Sequence, residues 1–554
     1  MIPLLLLTIP NVVLFAINKD YNIFLLSLLF IFLFFAAVKN SKYLIILYPF
    51  YILIPIVAYY IQTYGFSLNE QTLGIIFETN SQEAVQFLGA KLYFYIFGCI
   101  LWAILVTLIL YKNKKKPLIW QGRTRWLVLI VGTLYISFLF GINQLVTLEI
   151  KELNKDESQV DEEENSFLAD VKQTYPFGMF LSIYDFYRQQ NKINTAFERK
   201  SNFKFYTKHI NDNPNSKQII VLVIGETSRR HNWELNGYSR KTTPLLKLQP
   251  NLINFSDMIS TSSATRSSVP MIITRKPVEQ VFNYDFPEKS IISAFKEAGF
   301  ATYWISTQQK IGIFDTSNSI YIREADHQIF LNNTNYTNKG EPDGVVLPIF
   351  KQITNSNSKK VFIVVHTLGS HYNYSHRYPK NFDVFKPSLN DIQDYSLQDV
   401  KHKTELVNSY DNSILYTDYV LNQLIETLKS QKQAESFLLF SSDHGEDLFD
   451  DGCDKSGHGN DTIYDFGVAS FSWYSDKYRE NNQEKVALLI KNKDQKINHT
   501  SFFPTLLDAA SLEIPNYTTS RSLLKTFQSY PRLINSEIDY DKKPPQGICK
   551  RILK

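Results

Sequence analysis

Short polar motifs in this 554-residue chain hold residue types that could do chemistry together. Glu226 follows the apolar run QIIVLVIG, and S-T-S-S-A-T-R-S-S-V-P fills positions 260–270. His366 and His371 bracket T-L-G-S, Asp443 and His444 follow SFLLFSS, and His458 sits in G-H-G. Zinc takes histidine nitrogen and carboxylate oxygen in tetrahedral sites, and catalytic zinc keeps one position open. Glu226, Asp443 and His444 offer such ligands. A hydroxyl on the same ion would complete the set and be acidified by it, and the Ser/Thr run supplies candidates. A helix starting in that run would add its N-terminal dipole, which favours an alkoxide and an attached phosphate. His371 and His458, on glycine-flanked loops, are functional candidates. His366, inside an apolar run, reads as a buried, hydrogen-bonded histidine.

Taken singly, each motif also has a plain structural reading: D-H-G-E as a capped turn, G-E-T as a strand end, the Ser/Thr run as a loop. Their placement argues against that. From about residue 218, the runs QIIVLVIG, LINFSDMI, FATYWIS, KKVFIVVH and SFLLFSS alternate with helical segments such as SIISAFKEAG and Thr404 to Leu428. Continuous apolar strands separated by helices predict a mostly parallel sheet covered on both faces. In such sheets ligands gather beyond the carboxyl ends of the strands. Glu226, the 261–268 segment, His371 and the Asp443-His444 pair all fall at those ends.

The composition divides sharply. Leu, Ile, Phe, Val and Tyr dominate the first roughly 148 residues, and the remainder is rich in Asn, Lys, Asp and Ser. Apolar stretches at 2–17, 21–38, 43–62, 92–111 and 127–147 each approach the length needed to cross a ~30 Å hydrocarbon layer, so five spans are expected. Lys112, Lys114, Lys115, Lys116, Arg123 and Arg125 lie between spans four and five, and Lys39 and Lys42 between spans two and three. Glu70, Glu78 and Glu83 against Lys91 lie between spans three and four. Positive-inside bias puts the first two loops in the cytoplasm and the third outside, so everything after about residue 148 is expected to be exported.

An acidic linker, KELNKDESQVDEEENS, follows the last span. TYPFGMFLSIYDFYRQQ comes next, readable as a helix lying on the membrane or packed on the soluble domain. Cys453 and Cys549 both fall on the expected exported side, where disulfides persist, and are expected to pair, tying position 549 to the loop between His444 and His458. A net charge of +4 with no basic face makes nucleic acid a poor partner.

The motif set G-E-T-S-R-R, N-G-Y-S-R-K-T-T-P, S-A-T-R-S-S-V-P, H-T-L-G-S-H, S-S-D-H-G-E and G-H-G resembles the phosphoethanolamine transferases of the bacterial cell envelope. These belong to the alkaline phosphatase/sulfatase superfamily and include lipid A modifying and colistin-resistance enzymes. The resemblance implies a five-helix transmembrane domain over 1–148, a linker with bridging helices over 149–215, and a sulfatase-like α/β/α sandwich over 216–554. It implies Thr265 as nucleophile, with Glu226, Asp443, His444 and Thr265 itself around Zn2+. It implies that His371 and His458 bind donor phosphate or a second metal and assist proton transfer.

The implied donor is phosphatidylethanolamine and the implied acceptor lipid A or lipopolysaccharide core, handled by a monomer in the bacterial inner membrane with its catalytic domain in the periplasm. A phosphoglycerol transferase of the same superfamily is the alternative. IIFETNSQEA resembles the family's donor-binding stretch, with Thr79 and Glu83 matching and Ile75 where an Asn is usual. Thr79 and Glu83, at i and i+4, would share a helix face and offer partners to the ethanolamine ammonium. Thr261 and Met271 stand where colistin-resistance relatives carry cysteines.

Overall fold

The computed structural model describes residues 2–64, 66–78, 91–153, 166–210, 216–309, 318–332, 341–393 and 395–553. The expected donor residues Thr79 and Glu83 lie outside them. The chain forms two compact units, one of Met1–Phe77 with Ala90–Gln189, the other of Glu78–Gly89 with Gln190–Lys554.

The first unit is helical. Tyr21–Val38, Ser41–Gln62, Leu92–Lys115 and Thr124–Ile142 are long and apolar enough to cross a membrane. The expected first span, 2–17, differs: it is two helices, Ile2–Leu7 and Ile9–Asn18, broken at Thr8. Pro10, with no N–H, sits in the opening turn of the second, and the apolar stretch Ile2–Asn18 is shorter than the other four. Four of the five expected spans are thus long apolar helices among the described residues.

Inside the unit, Tyr51, Ile54, Val57 and Ile61 of Tyr48–Tyr64 form a buried stripe. Pro55 within that helix removes the N–H that would pair with the carbonyl four residues back. Trp102 Nε1 donates to that Tyr51 carbonyl at 2.7 Å, so no buried acceptor is stranded. Tyr175 exchanges backbone bonds with the Asn11 amide, both 2.8 Å, which packs the start of the following helix, Phe177–Lys200, on this unit. Phe180, Tyr184 and Tyr187 of that helix stay exposed at i, i+4 and i+7, an aromatic stripe of the kind favoured at membrane interfaces.

The second unit is built on a seven-stranded sheet. Its strands are β1 Lys217–Gly225, β2 Leu252–Asn254, β3 Ala301–Gln309, β4 His327–Asn332, β5 Lys360–His366, β6 Ala434–Ser442 and β7 Ser470–Tyr474, in the order β2-β7-β6-β1-β5-β3-β4. The β6-β1-β5-β3-β4 pairs are parallel, and β7 pairs antiparallel with both β6 and β2. Alternate side chains of the central strands enter two cores. Ile220, Leu222, Ile224, Phe362 and Val364 pack with Ile291, Phe295 and Phe502 on one face. Ile219, Val221, Val223, Ile363 and Val365 pack with Tyr410, Ile414 and Leu424 of the helix Lys403–Ser430 on the other. Each buried Ile, Val or Phe contributes about 1.5–3 kcal/mol, so this covered sheet is the rigid platform for whatever sits at its strand ends.

Candidate metal and nucleophile site

Strand register assembles the site. In the parallel β1-β6 ladder Gly225 lies opposite Ser442, so the next residues, Glu226 and Asp443, emerge side by side, and the Asp443 N–H donates to Gly225 O at 2.9 Å. The loop after β5 closes over them, with the Ser370 N–H on Glu226 O at 2.9 Å. Gly369 makes this possible. Its φ is +49°, and a Cβ there would stand 2.6 Å from Glu226 O. Thr227, a β-branched residue, is held at φ 58°, a costly conformation that clusters at functional sites. Its N–H binds Asp443 Oδ1 at 3.0 Å and its hydroxyl binds Glu226 Oε1 at 2.9 Å.

The Ser/Thr run is a pinned segment, not a free loop. Ser260 Oγ donates to Asp443 O at 2.7 Å, Ser263 Oγ donates to Asp461 at 2.9 Å, and the Ser262 and Ser267 hydroxyls pair at 2.7 Å. The helix Thr265–Ile273 starts immediately after, with Ala264 as N-cap, so Thr265 is its first residue and feels the positive end of its dipole. Thr265 Oγ1 lies 3.0 Å from Glu226 Oε1 and 3.1 Å from His444 Nε2. His444 Nε2 is 3.2 Å from Glu226 Oε1 and 3.5 Å from Asp443 Oδ2. Nδ1 lies 2.9 Å from Gly445 O, which turns Nε2 toward the cluster. Gln308, at the end of β3, donates to Glu226 Oε2 at 3.1 Å.

The charges are unbalanced. Glu226, Asp443 and His444 are all buried. Burial raises the Glu226 carboxyl, but the hydrogen bond and charge of His444 outweigh it and hold the group well below the usual range. Burial, then the Glu226 charge, pushes Asp443 up. Burial disfavours the His444 cation, yet the Asp443 and Glu226 carboxylates drive its pKa up to about 10. Two buried carboxylates around one imidazole call for a cation. One ligand atom each from Glu226, Asp443 and His444 lies within 4.8 Å of the others, and Asp443 Oδ2 accepts no hydrogen bond. An orphaned carboxylate oxygen within this nitrogen-and-oxygen donor set fits zinc.

The structure thus brings Glu226, Thr265, Asp443 and His444 into direct contact. The His458 ring packs on His444, centroids 4.4 Å apart, and His371 lies beyond it, 6.3 Å from His458. His366 is buried but not hydrogen-bonded as the sequence suggested. Neither ring nitrogen has a partner, the ring packs edge-on to Trp304 at 5.6 Å, and burial pushes it down to about 4. Cys453 and Cys549 are joined in a disulfide. Sequence reasoning missed Gln308, although it sits at a strand end like the others, and it took Glu446 only as part of a turn.

The sulfatase family model matches residues 218–512, and that of the phosphoethanolamine transferases EptA/EptB matches residues 24–148. Phosphoethanolamine transferase EptC of Escherichia coli strain K12 is 27% identical over 516 residues, 88% of this chain and 84% of its own length. The crystal structure of the C-terminal periplasmic domain of Escherichia coli EptC in complex with Zn is 28% identical, with a TM-score of 0.55 over 61% of this chain and 95% of that one. The integral membrane protein lipooligosaccharide phosphoethanolamine transferase A of Neisseria meningitidis, 19% identical, shares the fold with a TM-score of 0.66 over 91% of this chain and 92% of its own.

Proposed function

The chain belongs to the sulfatase family, and from that premise we propose that it transfers phosphoethanolamine from phosphatidylethanolamine to lipid A or lipopolysaccharide core through a phosphoethanolamine ester of Thr265. The observation that carries this reading is the Thr265 hydroxyl at the head of a helix, within hydrogen-bond reach of both Glu226 and His444. A sulfatase-fold site built on an unmodified threonine suits phosphoryl transfer through a covalent intermediate. The EptA/EptB match over the apolar helices supports phosphatidylethanolamine as donor, because it ties the membrane unit to the same enzyme class. The Zn complex of the Escherichia coli domain supports zinc as the ion for this donor set.

Zinc held by Glu226, Asp443 and His444 would acidify the Thr265 hydroxyl and offset charge on the phosphoryl oxygens. Thr265 Oγ attacks phosphorus, the bond from phosphorus to the glycerol oxygen breaks, and diacylglycerol leaves. The Thr265 proton ends on that oxygen, and His458, 31% exposed beside buried His444, carries it there. Thr227 and Gln308 hold the Glu226 carboxylate in place. An acceptor hydroxyl or phosphate then attacks the Thr265 ester and takes the group.

The catalytic unit works outside the cytoplasm. The basic stretch Lys112–Arg125 precedes the last long apolar helix, and positive-inside bias supports an exit of that helix on the far side of the membrane. The test is transfer by the zinc-loaded protein in vesicles of phosphatidylethanolamine or phosphatidylglycerol, with lipid A added. Ethanolamine-dependent modification of lipid A supports the reading. Modification from phosphatidylglycerol alone contradicts it.

A further inference from the structure

Glu446 is a carboxylate the mechanism above leaves unused, and its situation is unusual. Its side chain is 1% exposed, and neither carboxylate oxygen accepts a hydrogen bond. A buried carboxylate without donors is strongly disfavoured unless a charged or hydrogen-bonding group faces it. Two groups face it: the buried Tyr374 hydroxyl, which interacts with the carboxylate, and His458, whose Nδ1 lies 3.6 Å from Glu446 Oε2.

Local pairing produces this contact. Leu448 lies opposite Ser456 and Asp447 opposite Gly457 in a short antiparallel ladder, so one step further along places Glu446 against His458. Gly457, at φ +85°, holds a backbone conformation that side-chain-bearing residues rarely adopt, and a Cβ there would press on Leu397 Cδ2 at 3.3 Å. The far side of the imidazole packs on His444. With Nδ1 turned inward to Glu446, Nε2 occupies the opposite edge of a ring that is 31% exposed.

We propose that Glu446 is the positioning carboxylate of His458, holding the ring so that Nε2 faces the leaving glycerol oxygen. The inference rests on the role given to His458 above. The 3.6 Å separation is longer than a hydrogen bond, and such contacts tighten when substrate enters. A buried carboxylate behind a proton-carrying imidazole fixes the ring's tautomer and orientation. Glu446 is buried behind His458, so on this proposal its effect on the reaction passes through that ring rather than through Tyr374.

The full-length, zinc-loaded protein decides this with Glu446→Ala, Glu446→Gln, His458→Ala and the Glu446→Ala/His458→Ala double variant. Two readouts are taken: single-turnover release of diacylglycerol from acyl-labelled phosphatidylethanolamine, and the structure of the Glu446→Ala protein. Glu446→Ala should slow release by roughly 10- to 100-fold, less than the ~10²- to 10⁴-fold expected for loss of the proton-transfer group itself. Its zinc content should be unchanged and its His458 ring rotated, with Thr265 and His444 unmoved. Glu446→Gln, which keeps an acceptor, should recover most of the rate. In the His458→Ala background, Glu446→Ala should cost nothing further. Equal losses in both backgrounds, a fall in zinc content, or an unmoved His458 ring would overturn the proposal. If wild-type protein releases no diacylglycerol, the donor reading fails, and the ring's position alone still decides the role of Glu446.

Discussion

The Thr265 hydroxyl stands 3.1 Å from His444 Nε2, a contact made across 179 residues of sequence by two adjacent parallel strands and the helix that starts at Thr265. On the proposed mechanism, removing that hydroxyl removes the attacking atom, and Thr265 is only half-buried at the head of its helix. Thr265→Ala should fold with wild-type thermal stability and zinc content and lose transfer by ~10³-fold or more. Thr265→Ser should keep a measurable fraction. Transfer assays beside elemental analysis check this, and an Ala variant within tenfold of wild type contradicts it.

Metal removal tests the charge argument. Exhaustive chelation should abolish transfer and zinc should restore it. Glu226→Gln and Asp443→Asn should each weaken zinc retention, since each removes an anionic ligand from a cluster short of positive charge. Elemental analysis after dialysis reads this directly, and zinc retained at wild-type levels by both variants contradicts the ligand assignment.

Gly369 gives a backbone test. Gly369→Ala imposes a left-handed alanine and drives a methyl to 2.6 Å from Glu226 O, which should destabilise the catalytic unit by about 1–3 kcal/mol. Because the clash falls on Glu226 itself, zinc affinity should drop as well. A shift in melting temperature with unchanged zinc affinity would show that the loop is not what holds Glu226.

The disulfide closes a loop with a sequence separation of 96. Cys453→Ser/Cys549→Ser should lower stability by about 2–5 kcal/mol, seen as an earlier thermal transition. Wild-type protein should show one free thiol on denaturation, Cys99. Three free thiols would contradict the pairing.

Acid sensitivity should trace in part to Asp541, which accepts Arg532 at 2.8 and 2.6 Å and Lys496 at 2.9 Å. The Arg532 hydrogen bonds hold its carboxyl down to about 2, against about 3.9 when unfolded. A depressed carboxylate stabilises above its unfolded pKa and loses that contribution as pH falls from about 4 toward 2. Asp541 is partly solvent-exposed, so screening keeps the effect below ~1 kcal/mol. Asp541→Asn should therefore flatten the stability curve slightly between pH 4 and 2 and leave the slope above pH 5 unchanged. An unchanged acid limb contradicts it.

Much of the catalytic unit was legible because its strands announce themselves. QIIVLVIG, KKVFIVVH and SFLLFSS are continuous apolar runs that become β1, β5 and β6, and the strand-end rule then locates Glu226, His371 and Asp443. LINFSDMI was less legible. It splits into Leu252–Asn254, on the sheet edge, and Met258–Ile259, paired with Ile497–Asn498, because Asp257 between them is taken by Arg230 and Arg532. β4 and β7 escaped notice, the first being a half-exposed edge strand and the second alternating Ser with aromatics. Glu446 could not be found from pattern, since its partner His458 is set by a two-residue ladder that leaves no periodic trace. The break at Thr8 was invisible to hydropathy, which does not register a proline without an N–H.

The central claim is the covalent ester on Thr265, and mass spectrometry of the zinc-loaded protein mixed with phosphatidylethanolamine and no acceptor tests it most directly. The account predicts a phosphoethanolamine adduct on the peptide bearing Thr265, absent from Thr265→Ala and discharged when lipid A is added. An adduct on any other residue, or transfer at full rate from Thr265→Ala, would contradict it.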